Sequence, residues 1–361
     1  MAAVTTSPEV TGVETQQRAG RIAKGYRAVR ELPLIPLIIL IFLLVIPAMF
    51  ANQLAPHNQR IGVLDDAKLP PFWVSESFES RTVVQRADKD KLDVEIGLTN
   101  ARRKVDRGEA TILSGGEDGT VDPGDTLRFQ ANKGGSMEYP LGTDKQGRDI
   151  LSRIMHGARI SLMVSSLAIL LGGGLGTILG MLAAYRGGKT DSIIMRIVDI
   201  KLAFPSILLA LVLVAAIGAG FTTVIVVIAV LLWARYARVV RGEALSIKQQ
   251  DFIDRARVSG ASNVRIMMRH IFPNLVNTVV VLATLEVGHV IILESTLSFL
   301  GAGIPAPTPA WGVMVADGRD LITTAWWIFL FPCLAIVLTV LSMNLLGDWL
   351  RDKLDPKLRN V

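Results

Sequence analysis

The sequence predicts an all-α membrane protein with six transmembrane helices and a small α+β or β-rich insert between the first two. Composition is the first reason: 50% of the 361 residues are hydrophobic and only 19% are charged, as expected for a chain solvated largely by lipid. The second reason is that the apolar residues form six runs. Each run is close to the roughly 20 residues that a helix needs to cross the bilayer.

The six runs give the spans in chain order, and a glycine pattern predicts how one of them packs. Gly172, Gly176 and Gly180 recur at every fourth position of the second run. They predict a stripe of small residues that lets another helix approach closely. The runs are 32–50, 158–184, 197–217, 221–240, 275–300 and 325–347.

Basic residues indicate the orientation of the spans. With the N-terminus inside, four inner segments contain 20 Lys and Arg residues, whereas the short outer loops contain only Arg319. Cytoplasmic loops carry this excess, so both termini are expected in the cytoplasm. The resulting division is a cytoplasmic tail 1–31, a first transmembrane helix 32–50, an extracytoplasmic segment 51–157, a five-helix transmembrane core 158–347 and a cytoplasmic tail 348–361.

Charge, cysteine content and the N-terminus exclude other classes of protein. The formal net charge is +6, but the basic residues cluster at the ends of apolar runs, which argues for membrane topology and against a nucleic-acid partner. The single cysteine, Cys333, can form no intrachain disulfide. Residues 1–31 are polar and the first apolar run begins late, so this run is expected to stay as an anchor and not to be cleaved.

The long outer segment contains the predicted insert, at about 65–135. Its density of charge and turn residues indicates short elements separated by turns. The predicted elements are a helix at 89–107, strands at 110–113 and 126–130, and turns at 115–119 and 122–125.

The inner loop between the fourth and fifth runs, within 241–274, is the most informative segment. Residues 251–263 read as a helix followed by a glycine turn, and a second helix follows. Ser262 or Asn263 is expected to cap the second helix, and Pro273 stands where this helix joins the next span. A compact helix pair on the inner side is suited to docking into the groove of a partner and to passing on a push.

This loop resembles the signature of the permease subunits of ABC importers, which is Glu-Ala-Ala, then Gly four residues on, then Pro thirteen after that Gly. Here the three-residue element is occupied by Asp254, Arg255 and Ala256, and Gly260 and Pro273 fall at the matching spacing. The acid and the turn are kept, although Asp replaces Glu and Arg replaces Ala. The resemblance implies that these residues, with Ala261, form the loop that docks into a cleft of the ATPase subunit.

Further segments are similar to the C-type permeases of dipeptide and oligopeptide importers. The resemblance covers about 33–60 and 139–357, and the insert lies outside it. In the stretch 141–153, Asp149 is expected to cap a short interfacial helix. The similar segments are 141–153, 157–162, 199–206, 294–301 and 344–356.

The resemblance implies the type I ABC importer permease fold and the import of peptides across the cytoplasmic membrane of a bacterium or archaeon. It also implies a second and different permease, two ABC ATPases and an extracytoplasmic substrate-binding protein. The insert is then either a docking surface for that binding protein or a lineage-specific decoration. The chain itself is expected to be no enzyme and to bind no cofactor, with ATP and Mg²⁺ on the partner subunits.

A phosphate-binding loop in this chain is not expected. Gly188-Lys189-Thr190 matches the end of such a motif, but Ala183 stands where the motif requires a glycine. The segment also follows a membrane helix and not a strand.

Polar residues on the fifth run are candidates for the translocation path, because ionisable groups are costly in lipid. Glu286 and His289 are three residues apart and are expected to share a face. Glu294, Ser295 and Ser298 complete the candidate path. The alternative for the ionisable residues is structural: an interhelical pair, or, for Glu294, contact with water at the outer surface.

Other functions remain alternatives at this stage. Importers of nickel chelates, glutathione or oligosaccharides have similar permeases. A membrane-anchored sensor is less favoured, because the tail after Gly347 has only 14 residues and offers no output domain. An intramembrane protease would need a nucleophile and a base together, and Ser295 and His289 are six apart on one helix.

Overall fold

The computed structural model describes residues 33–86, 91, 94–107, 110–114 and 120–354. The predicted tail 1–31 and the turn at 115–119 lie outside these residues. The strands are β1 Ser77–Val84, β2 Glu95–Gly97, β3 Ala110–Ser114 and β4 Thr126–Asn132. The helices are α1 Leu34–Leu54, α2 Leu98–Asp106, α3 Ile150–Arg186, α4 Gly188–Ala203, α5 Ser206–Ile217, α6 Phe221–Lys248, α7 Asp251–Val258, α8 Asn263–Phe299, α9 Trp311–Gly318 and α10 Trp327–Leu354.

Five helices of the described chain, α1, α3, α6, α8 and α10, are long and apolar enough to cross a membrane. A sixth span depends on whether the pair α4–α5 counts as one. The predicted count of six therefore stays a prediction, while the mostly helical architecture is confirmed. The segments between the helices lie at two ends of the bundle. We call one the insert end (residues 55–149 and 300–326) and the other the loop end (residues 186–190 and 249–262).

The third apolar run, 197–217, is not one helix. Helices α4 and α5 meet at an angle of 93° across a short break. Phe204 and Pro205 are both extended, with ψ angles of 137° and 120°. Proline disfavours the helical conformation of the residue before it, so helix α4 ends at Ala203 and the chain turns.

Helix α3 begins at Ile150, eight residues before the predicted span. The Asp149 carboxylate caps it by accepting hydrogen bonds from the backbone N–H groups of Leu151 and Ser152, at 3.2 and 3.1 Å. The expectation of a separate interfacial helix is therefore wrong, because the capped helix continues into the span. Hydropathy missed this first turn because Arg153 is polar, although it is 2% exposed and ion-paired with Asp144.

The predicted glycine stripe is confirmed on α3, and its partner is α6. A Cβ atom at Gly172 or Gly180 would lie 2.5 Å from the carbonyl oxygen of Ala229 or Ala237, and one at Gly176 would lie 2.2 Å from that of Trp233. The two backbones therefore touch where only glycine leaves room.

The insert is a four-stranded sheet in the order β2-β1-β4-β3, with α2 beside it. Strand β1 pairs in parallel with β2 and antiparallel with β4, and β3 pairs antiparallel with β4. Both predicted strands are confirmed, as β3 and β4. The predicted helix at 89–107 is wrong in its middle part, because Glu95–Gly97 pairs with β1 and the helix begins only at Leu98.

Candidate functional site

Helix α7 lies on a small apolar core at the loop end. Its Ile253 side chain is fully buried and packs in one cluster with Ile266 and Ile271 of α8. Next to Ile253, the Asp254 carboxylate accepts a hydrogen bond from Arg257 at 2.8 Å, and both charged side chains are exposed. One face of α7 therefore anchors the helix, while its charged face points away from the chain.

A glycine turn ends α7, as the sequence predicts. The Gly260 N–H donates to the carbonyl of Arg257 and the Ala261 N–H donates to that of Ala256, both at 3.1 Å. This pair of bonds is the Schellman arrangement, which requires a left-handed residue between them. Gly260 supplies it with φ of +79°.

The second helix of the loop is continuous with the next membrane span. Ser262 caps it by accepting from the Arg265 N–H at 3.3 Å, whereas Asn263 accepts from the Tyr185 hydroxyl at 2.8 Å. Just before Pro273, residues Met267–Ile271 form a π-helical turn. Proline lacks an N–H and crowds the preceding turn, and widening that turn accommodates it. The second helix of the loop and the next span are therefore one helix, α8.

The side of this loop that faces away from the rest of the chain has exposed apolar side chains. Val258 is 90% exposed, Val264 65% and Met268 56%. A Cβ atom at Gly260 would also meet no atom of the described residues within 4 Å. The loop thus has a packed core on one side and an uncovered apolar and charged surface on the other, and exposed apolar surface of this kind marks an interaction site.

Well inside the bundle, Glu286 of α8 pairs with Arg235, a cation that is not among the residues predicted for the translocation path. Its carboxylate is 1% exposed and lies 2.8 Å from the Arg235 guanidinium of α6. Lys201 and His289 also lie close enough to act on it electrostatically. His289 itself is exposed whereas Glu286 is buried, and that the two share a face of α8 stays a prediction. Arg235 could have been noticed as a charge inside the fourth apolar run.

The other three candidate path residues lie closer to the insert end and are buried within this chain. The Ser298 hydroxyl donates to Glu294 at 2.7 Å, and Glu294 is 1% exposed. Helix α9 covers Ser295, because a Cβ at Gly312 would lie 2.4 Å from its carbonyl oxygen. The structure therefore does not bring Glu294, Ser295 and Ser298 together with Glu286 and His289.

The structure also places the segment that resembles a phosphate-binding motif. Gly188, Lys189 and Thr190 form the first turn of α4, directly after helix α3. In the described ranges, no group of three or more His, Cys, Asp or Glu side chains is placed to hold a metal ion.

Comparisons with known proteins point to one family. The family model described as "Binding-protein-dependent transport system inner membrane component" matches residues 176–360. The glutathione transport system permease protein GsiD of Pectobacterium atrosepticum is 47% identical over 229 residues, which are 63% of this chain and 76% of that protein. GsiD of Escherichia coli O157:H7 is 48% identical over 228 residues, 63% and 75% of the two chains. A solved structure, "Crystal structure of an amino acid ABC transporter with histidines", is 17% identical, covers 55% of this chain and 91% of its own, and has a TM-score of 0.36.

Proposed function

The chain belongs to the family of binding-protein-dependent transport system inner membrane components, and we propose that it forms half of the translocation pathway of a peptide importer. As a family member it is a multi-pass permease subunit of an ABC importer, and it is not the catalytic component. ATPase and binding-protein partners follow from that membership in general terms. We propose two ATPases, an external binding protein and a second, different permease.

The observation that carries the mechanism is the geometry of the loop around Gly260. Its inner face is packed on α8, its outer face is uncovered, and α8 continues without a break into the membrane. We propose that the ATPase receives a docking element formed by Asp254, Arg255, Ala256, Gly260 and Ala261. Pro273 then marks where the motion enters the membrane-spanning part of α8. Closure of the ATPase dimer on ATP would then favour one of two packed arrangements of the permeases.

We propose an orientation with the loop end in the cytoplasm and the insert end outside. The excess of Lys and Arg in residues 1–31, 186–196, 235–270 and 348–361, against Arg319 alone in the short loops 218–222 and 301–324, supports it. Both termini would then be cytoplasmic, in the inner membrane of a bacterium or archaeon. Labelling of a cysteine introduced at exposed Ser259 by an impermeant reagent, from each side in turn, measures this directly.

Peptides are the proposed substrates, because the C-type resemblance spans most of the chain outside the insert. Glutathione is the second candidate, because relatives at 47–48% identity are named as glutathione transport permeases. Glutathione is itself a short peptide. Uptake of labelled dialanine and labelled glutathione by proteoliposomes that hold the complete complex separates the two.

The docking role of the loop is tested at Gly260. A valine at φ of +79° is strained by about 1–3 kcal/mol, whereas asparagine tolerates this left-handed conformation. In reconstituted complexes we expect Gly260→Val to reduce substrate-stimulated ATP hydrolysis to the unstimulated rate, and Gly260→Asn to keep most of the stimulation. Full coupling in the valine variant would count against the assignment.

A further inference from the structure

Arg235 and Glu286 lie far from the ends of their helices, although Arg235 is also one of the basic residues of the predicted inner segment 235–270. Helix α6 has 28 residues, and Arg235 is therefore about 20 Å along the helix from either end. Glu286 lies 13 residues before the end of α8 at Phe299, which is also about 20 Å. Ions at such a depth are found facing water or other polar groups and not lipid.

These residues hold more positive than negative charge. Asp199 of α4 is paired with Arg238 of α6. The remaining carboxylate, Glu286, is shared by Arg235, at 2.8 Å, and by Lys201, which acts on it electrostatically. In this part of the described bundle one cation is therefore left without a balancing anion.

The cations around Glu286 are accessible. The Arg235 side chain is 56% exposed, although the Glu286 carboxylate that it contacts is 1% exposed. Lys201 is only partly buried and His289 is exposed, and both act electrostatically on Glu286. The carboxylate is thus enclosed by this chain, while its cations face outward on the surface formed by α4, α6 and α8.

We propose that Lys201 and Arg235 form an anion-binding site in the translocation path, which receives a carboxylate of the substrate. Glu286 holds the Arg235 guanidinium in place, and the excess charge is neutralised when a substrate carboxylate arrives. The site rests on the proposed transport function and extends it to a substrate class: solutes that carry a free carboxylate, such as the C-terminus of a peptide. The competing occupant is an acidic side chain of the second permease, which would close the site.

The test measures the electrostatic potential at the site without a known substrate. The one cysteine of the chain, Cys333, is replaced by alanine, and His289→Cys introduces a reporter thiol. In the complete complex, with and without ATP, the reaction rates of this thiol with an anionic and a cationic methanethiosulfonate are compared by mass analysis of this chain. Ser192→Cys, an exposed position nearer the start of α4, is the reference.

We expect the anionic-to-cationic rate ratio at position 289 to exceed the ratio at position 192 by about tenfold or more, because a cleft lined by one sign of charge concentrates the opposite ion. Lys201→Met should remove most of that preference and Lys201→Arg should keep it, whereas Lys189→Met, on the same helix, should leave it unchanged. Three outcomes would each overturn the proposed anion-binding site: equal rate ratios at positions 289 and 192, a preference that survives Lys201→Met, or no labelling at 289 in any nucleotide state. Uptake by the wild-type complex is measured separately, so a failure of the transport function is distinguishable from a failure of the site.

Discussion

The carboxylate of Asp144 joins the outer linker to the start of α3. One oxygen accepts the backbone N–H groups of Gln146 and Arg148, at 2.8 and 3.0 Å. The other oxygen receives the Arg148 guanidinium at 2.7 Å and that of Arg153. Asp144 is 1% exposed and is the nearest counter-ion of these two cations away from water, whereas the partly exposed Asp317 lies farther from them, at 3.8 and 3.9 Å.

We expect Asp144→Asn to destabilise the protein, because the two guanidinium groups would lose their buried counter-ion. Breaking a buried pair costs about 3–5 kcal/mol. Unfolding of the purified complex on heating is monitored by the reaction of the Cys333 thiol with a maleimide dye, and the thermal midpoints are compared. Asp320→Asn is the control, since among the described residues that exposed side chain is paired only with its neighbour Arg319, at 3.4 Å. Equal midpoints for the two variants would contradict the structural role.

Residue-scale predictions from sequence succeeded where the cause is local. A glycine turn at Gly260 follows from backbone preferences within a few residues of chain, and the structure has it. Glu286 and Arg235 are 51 positions apart in sequence and lie on different helices, so the periodicity of either helix cannot reveal that they pair. For the same reason the burial of Glu294, which is 1% exposed, was not foreseen.

At the scale of elements, the contact between α3 and α6 depends on one face of α3. Gly176 lies against the Trp233 carbonyl and the Tyr236 side chain, where an added Cβ would be 2.2 and 2.6 Å away. Gly174, two residues earlier, faces open space with no described atom within 4 Å. The same substitution at the two glycines therefore separates helix packing from the general cost of changing a glycine.

We expect Gly176→Leu to force α3 and α6 apart and to lower stability by about 1–3 kcal/mol or more, with loss of assembled complex from the membrane. Gly174→Leu should be neutral or slightly stabilising, because leucine favours the helix more than glycine does. The yield and thermal midpoint of both variants are compared after purification through the ATPase partner. Equal losses at both positions would show that the glycine face is not what holds the helices together.

Element boundaries were predictable only where polarity marks them. The apolar runs located α1, α6, α8 and α10, because lipid exposure selects apolar residues along the whole helix. The first turn of α3 was not predicted as part of the span, because its side chains are polar and can be buried only by pairing with one another. The break after Ala203 was not predicted, because Phe204 and Pro205 lie inside an apolar run, where a proline is also compatible with a kink in a continuous helix.

At the scale of the whole molecule, the insert is a separate unit that leaves the bundle and returns at one place. Its core, which includes Val83, Leu127 and Phe129, is distinct from the apolar clusters of the bundle. The Gly135 N–H donates to the Val74 carbonyl at 2.9 Å, so the chain enters and leaves the sheet side by side. The linker on the bundle side of this point is packed instead: the Thr143 carbonyl, for example, accepts from the Trp327 indole at 3.2 Å.

Replacement of residues 76–134 by two glycines should therefore leave the bundle assembled, with a thermal midpoint within about 2–4 °C of the parent, equivalent to about 1 kcal/mol. A longer excision, of residues 63–147, also removes Asp144 and the Thr143 contact to Trp327, and should abolish assembly. If the short excision already prevented membrane insertion or capture of the ATPase, the insert would be part of the fold and not an addition to it. If assembly survives, the stimulation of ATP hydrolysis by the binding protein becomes the deciding measurement: its loss in the short excision assigns the sheet to docking of that protein, and its retention leaves the sheet a decoration.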